Sequence, residues 1–141
     1  MEIIDQFTST TVHNKLKETW DIQQPVWYPL YETKRKDVLA FTVDSPSLNI
    51  EFLNVIKVVF SSYEVNDIYQ LQVDILNTPS YQVKLEELQI NRHHFIEDTY
   101  WFDSSLTWII YACHDGYLTI GGEQFIRDIK QAWPTWENNL F

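Results

Sequence analysis

The chain has 141 residues, 45% of them hydrophobic and 16% aromatic, with Asp+Glu 20 against Lys+Arg 10 and a formal charge of −10. The apolar content excludes disorder and the length fits one domain over residues 1–141. The acidic balance excludes nucleic acid as an expected partner, because no basic surplus exists to displace counterions from phosphates, and it disfavours anionic membranes for the same reason.

Val12, Leu16 and Trp20 recur at helical spacing and predict an amphipathic helix from Thr11 to Trp20, capped by Thr10 or Thr11 and carrying Lys15, Lys17 and Glu18 on its other face. Gln24-Pro25 breaks it. Trp27 to Tyr31 reads as a short extended strand that Pro29 assigns to a sheet edge. After the basic turn Lys34-Arg35-Lys36, Leu39, Phe41 and Val43 alternate with Val38, Ala40 and Thr42, a strand over Asp37 to Val43 ended by Asp44-Ser45-Pro46. Leu48, Phe52, Val55 or Ile56, Val59 and Tyr63 predict a second helix over Ser47 to Tyr63.

Tyr69, Leu71, Val73 and Ile75 then alternate with Gln70, Gln72 and Asp74, the pattern of a strand with one wet face. Asn77-Thr78-Pro79-Ser80 turns the chain, and Tyr81, Val83 and Leu85 supply an antiparallel return. Glu86 to Asp98 fits either a helical turn or a loop. Leu106 to Cys113 is apolar on both alternating faces, as a central strand covered on both sides requires. His114-Asp115-Gly116 turns it back through Tyr117 to Ile120. Gly121-Gly122 leads into a last helix over Glu123 to Trp133, with the stripe Phe125, Ile126, Ile129 and Trp133 and a stop at Pro134. The expected fold class is α+β, a largely antiparallel sheet with N-terminal, middle and C-terminal helices.

Chemistry-bearing residues are few. Cys113 is the only cysteine, so no intramolecular disulfide forms, and a reducing cytoplasm is the expected compartment. Acids in Met1-Glu2-Ile3-Ile4-Asp5 argue against a secretory signal, and no apolar run approaches the roughly 20 residues of a membrane span. His93-His94 with Glu97-Asp98 offers ligand types suited to zinc or iron, but adjacent histidines diverge on a helix and no H-E-x-x-H pattern is present. A solvated polar loop and no metal are expected. Cys113-His114-Asp115 holds the residue types of a thiol triad, yet neighbours on a strand point to opposite faces, so a buried thiol beside turn residues is the better reading. Gly121-Gly122 lacks any phosphate-binding motif, and Glu123 stands where a phosphate would sit. No catalytic residue and no cofactor are assigned. Among the aromatic clusters, Tyr28, Trp101 and Trp136 are candidates for exposure at a binding surface.

Tyr100-Trp101-Phe102-Asp103, the run Leu106 to Gly116, and Tyr117 to Gly122 before the closing helix resemble the C-terminal part of small acidic bacterial immunity-type proteins, including the SUKH superfamily. The N-terminal part has no Leu-Pro followed by a Tyr/Phe-Leu helix of that superfamily. The resemblance implies a cytoplasmic bacterial protein that binds and neutralises a toxin domain. The expected function is thus non-enzymatic protein binding, with a basic toxin domain as partner and Tyr28, Trp101, Asp103, His114, Asp115 and Trp136 as contact residues. The alternative is a small-ligand protein or enzyme using His93, His94, Glu97, His114 or Asp115 around an aromatic pocket, and a homodimer through exposed aromatics is a third reading. Asp37 to Asn91 holds eight acids against Lys57 and Lys84, so the negative surface is expected around the middle of the chain.

Overall fold

A computed structural model describes residues 1–23, 26–29, 33–42 and 46–141, with side chains from residue 50 onward in the last segment. The chain runs through β1 (Glu2–Ile4), α1 (Gln6–Trp20), β2 (Val38–Thr42), α2 (Pro46–Tyr63), β3 (Asp67–Gln72), β4 (Ser80–Lys84), α3 (Arg92–Ile96), β5 (Thr99–Phe102), β6 (Ile109–Ala112), β7 (Tyr117–Gly121) and α4 (Glu123–Ala132), with short 3-10 turns at Leu85–Glu87 and Trp136–Asn139. Its strands form one antiparallel sheet in the order β1-β4-β3-β5-β6-β7-β2, so the fold is α+β. β5, β6 and β7 occupy the middle, and every residue in them is buried.

Period-two alternation sends the side chains of these strands into two cores. Trp101, Ile110, Ala112, Leu118, Ile120 and Phe41 point to one face, where Phe52, Ile56 and Phe60 of α2 and Phe125 and Ile129 of α4 cover them. Tyr100, Phe102, Ile109, Tyr111 and Tyr117 point to the other, against Leu16 and Trp20 of α1 and Trp27 beyond it. The apolar run read as a central strand is therefore sandwiched as expected, with its regular part shortened to Ile109–Ala112 by a turn in which Leu106 adopts φ 56.

Local chemistry accounts for the other boundaries. α1 begins before Thr11 because the Asp5 carboxylate accepts the Thr8 backbone N–H at 2.7 Å and caps the helix there. It ends at Asp21, which takes φ 56 and donates its N–H to the Lys17 carbonyl. Leu16 and Trp20 are buried as their spacing predicts. Where β7 meets α4, Gly121 leaves room for Trp20, whose ring would lie 2.7 Å from an added Cβ, and Gly122 has φ 118 and packs on the Thr107 carbonyl.

Several expectations change. The Gln70 face of β3 is not wet, because Ile68 beside it is fully buried and Gln70 itself accepts the Trp101 indole N–H at 2.8 Å. Residues 26–29 contain no strand, and Trp27 is buried against Trp20 and Tyr111 instead. The ambiguous stretch resolves into the 3-10 turn and α3, while β1 and β5 appear where no strand was read. Gln24-Pro25, Leu30-Tyr31 and Val43-Asp44-Ser45 lie outside the described residues, as do the side chains of Ser47 and Leu48. No described helix is long and apolar enough to cross a membrane.

Candidate functional site at one end of the sheet

The register brings one set of turns to a common end of the sheet. Gln72 ends β3 opposite Thr99, Thr99 begins β5 opposite Ala112, and Tyr117 begins β7 opposite Thr42. Ile4 ends β1 opposite Ser80. Asp5, Asp74, Glu97, Asp98 and Asp115 follow or precede these strand ends, so five carboxylates from four separate turns share that end. Leu76 and Ile96 are exposed beside Asp74 and Glu97.

Asp98 organises this end. It holds φ 52, a conformation that Asp tolerates better than most residues, and its carbonyl accepts the Val73 N–H at 3.0 Å. Its Oδ1 accepts the His114 backbone N–H at 2.9 Å and the Tyr111 hydroxyl at 3.1 Å, and lies 2.8 Å from His114 Nδ1. The opposite ring nitrogen of His114 is 3.4 Å from Asp115. Hydrogen bonding to Asp98, reinforced by its charge, raises the His114 pKa above the ordinary 6.5. Because the ring is flanked by two carboxylates, its protonated form is favoured.

Cys113 sits inward of this pair. Ligand atoms of Asp98, Cys113 and His114 lie within 4.8 Å of one another, the one such grouping among the described residues. Burial nevertheless pushes the Cys113 thiol up, and its sulfur accepts the Asp115 N–H at 3.4 Å. A thiol held protonated is a poor nucleophile and a poor ligand. Cys113, His114 and Asp115 do meet, but His114 turns Nδ1 to Asp98, so the contiguous triad order is not the one the side chains adopt. Tyr100, Tyr111 and Tyr117 surround the thiol, and burial raises all three phenols.

In the other histidine cluster the rings of His93 and His94 do not diverge, their centroids lying 4.0 Å apart, but they gather no third ligand among the described residues. His94 is buried edge-on to Trp101, and its Nδ1 accepts the Asn91 N–H at 2.9 Å. Burial, with the His93 charge, lowers its pKa to about 4, so it is a neutral core residue. Glu97 takes a hydrogen bond from Gln72 and His93 is exposed, which leaves no convergent ligand set of His93, His94 and Glu97.

Of the expected contact residues, Tyr28, His114 and Asp115 belong to the acidic end, Tyr28 lying half-buried beside Tyr117. Trp101 does not: it is 0% exposed between the sheet and α3, and its indole is satisfied by Gln70. Asp103 lies at the opposite end of β5, where its carboxylate accepts the Ser105 N–H at 3.0 Å in a cleft of about 90 Å³. Trp136 is half-buried under Lys130, with the ammonium 4.4 Å from its ring. Sequence reasoning grouped Asp98 with His93 and His94; its actual partner, His114, is set by the β5–β6 register, which no local pattern announces. Comparisons of the chain with protein-family models, with curated proteins and with solved structures find no match.

Proposed function

We propose that this chain is a non-enzymatic binding module that captures a basic protein partner on the acidic end of its sheet, in the manner of an immunity-type protein neutralising a basic toxin domain. The observation that carries the reading is the placement of Asp5, Asp74, Glu97, Asp98 and Asp115 along one end of the sheet, in turns that contain neither Lys nor Arg. Such a field accelerates and orients encounter with a cationic surface. Leu76, Ile96 and Tyr28 supply apolar contact at its border, and Asp98 holds His114 and the turn in one geometry. The buried thiol, whose pKa burial raises, and the neutral, core-packed His94 favour this reading over a nucleophilic or metal-dependent enzyme.

The test is to sequence the gene's neighbourhood and co-purify the chain with a basic domain encoded there. A complex that forms at low salt and weakens in the Asp74→Asn, Glu97→Gln, Asp115→Asn variant supports the reading. A partner that binds this variant and the native chain equally, without salt dependence, overturns it.

A further inference from the structure

At the far edge of the sheet, β2 is an edge strand whose outer side is covered, among the described residues, along only part of its length. The Asp37 carbonyl accepts the Gly122 N–H at 2.9 Å and so faces inward to β7, whereas the Ala40 carbonyl faces outward and accepts the Phe141 N–H at 3.0 Å. Alternation then directs the N–H and C=O of Val38 outward, like those of Ala40. Leu140 bridges antiparallel to Phe41. The final residues therefore already act as an added strand over the second half of β2, while among the described residues nothing pairs with the outward groups of Val38.

Beside this uncovered stretch lies a groove of about 370 Å³ between β2 and α4, with Leu39 and Ile126 half-buried along it. Its charges are unequal. Asp37 is held by Arg35 at 2.7 Å and Glu123 by Arg127 at 3.3 Å, whereas Lys36 and Lys130 have no carboxylate partner among the described residues. On a chain of formal charge −10, Lys36 and Lys130 line this groove and Arg127 adjoins its lining, while Arg35 holds Asp37 from the α1 face, where it lies 3.9 Å over the Trp20 ring.

We propose that the open half of β2 receives an extended acidic segment of a partner protein by strand addition. The segment runs in line with the Leu140–Phe141 tail and pairs with the outward N–H and C=O of Val38. Its alternate apolar side chains rest on Leu39 and Ile126, and its flanking carboxylates meet Lys36 and Lys130. Main-chain bonds supply affinity in this mode and the side-chain contacts supply selectivity. Charge complementarity selects this occupant over a second copy of the chain, whose own edge carries the same lysines. This surface is separate from the acidic end, since β2 starts at one end of the sheet and finishes at the other.

The test is selection of displayed short random peptides on the full chain, followed by amide hydrogen exchange with an enriched peptide. Enriched peptides should alternate apolar residues with Asp or Glu, slow exchange at Val38 at least about tenfold, and lose about tenfold in affinity in the Lys36→Glu, Lys130→Glu variant. Val38→Pro, which removes the outward N–H at an edge position that tolerates proline, should abolish binding while the chain stays folded. No enrichment, peptides without acidic bias, unchanged exchange at Val38, or concentration-dependent dimerisation that protects Val38 without peptide would overturn the proposal.

Discussion

The two faces of the sheet are built from different materials. Under α2 and α4 the core is hydrocarbon and aromatic ring: Phe60 lies 4.4 Å from Trp108 and stacks on Phe125 at 5.2 Å, and Phe41, Phe52 and Trp133 form a second aromatic group. Two of its indoles are paired at the margin, that of Trp133 with Glu51 at 2.7 Å and that of Trp101 with Gln70, while the Trp108 indole N–H is buried without a partner among the described residues. Under α1 the rings carry more polar atoms inward. Tyr100 stacks on Tyr111 at 4.6 Å, Cys113 and Tyr117 lie alongside, and the indole N–H groups of Trp20 and Trp27 and the hydroxyl of Thr119 are buried without a hydrogen-bond partner among the described residues. One face is held by packing with isolated indole hydrogen bonds at its margin; the other adds a polar network whose accessible end is Asp98. The face that borders the acidic site is thus the one whose order depends on a charge.

The sharpest challenge to this contrast is truncation on the apolar face. Phe60→Ala removes a ring in contact with Trp108, Phe125 and Tyr63, and should cost about 3–5 kcal/mol in urea unfolding. A loss below about 1 kcal/mol would mean that this core is not closely packed. On the opposite face, Gly121→Ala places a methyl 2.7 Å from both Trp20 and Ile109, and overpacking of this kind should cost about 1–3 kcal/mol. Trp20 fluorescence should shift with it. A silent substitution would show that α1 is free to move away from the sheet.

Asp98→Asn tests the polar network itself. It keeps an acceptor for Tyr111 and His114 but removes the charge, and should cost about 1 kcal/mol while returning the His114 pKa toward its ordinary 6.5 in an NMR titration. An unchanged His114 titration would break the link between the two residues.

The smallest effects separate two histidines by sign. His94, depressed to about 4 from 6.5, contributes stability present above about pH 6.5 and lost as pH falls toward 4; His13, depressed to about 4 by burial and Lys17, acts in the same direction. His114, raised above 6.5, contributes stability that is complete below that pH and lost as pH rises through its folded value. Melting curves of His94→Gln should therefore lose part of the acid limb, and those of His114→Gln should lose a decline on the neutral side. The same limb lost in both variants would refute the assignment.

Legibility in the sequence followed the physical signal. α1, α2 and α4 were readable because Leu16 with Trp20, Phe52 with Ile56, and Phe125 with Ile129 repeat a helical period, and β6 with β7 because apolar runs flank His114-Asp115-Gly116. β5 was missed because Tyr100-Trp101-Phe102 is apolar throughout and too short to show a period. β1 has only Glu2 to Ile4 and owes its existence to pairing with Gln82, Tyr81 and Ser80, a long-range effect. Trp101 was misjudged since its indole makes an exposed site plausible until Gln70 is found opposite it. The acidic end was invisible for a related reason: its carboxylates come from distant turns, and only strand register makes them neighbours.

The position of β2 has a consequence for how the chain acquires this structure. Val38 to Thr42 leave the ribosome well before their partner in the sheet, Tyr117 to Gly121, and the segment at Leu140 that covers their outer side comes later still. Until those segments emerge, Leu39 and Phe41 have neither strand nor helix α4 to cover them. Pairing at such sequence separation is slow, and an uncovered apolar strand is a target for chaperones and for aggregation. The charges of Lys34-Arg35-Lys36 immediately upstream then act as gatekeepers for a nascent chain that must wait to close its sheet.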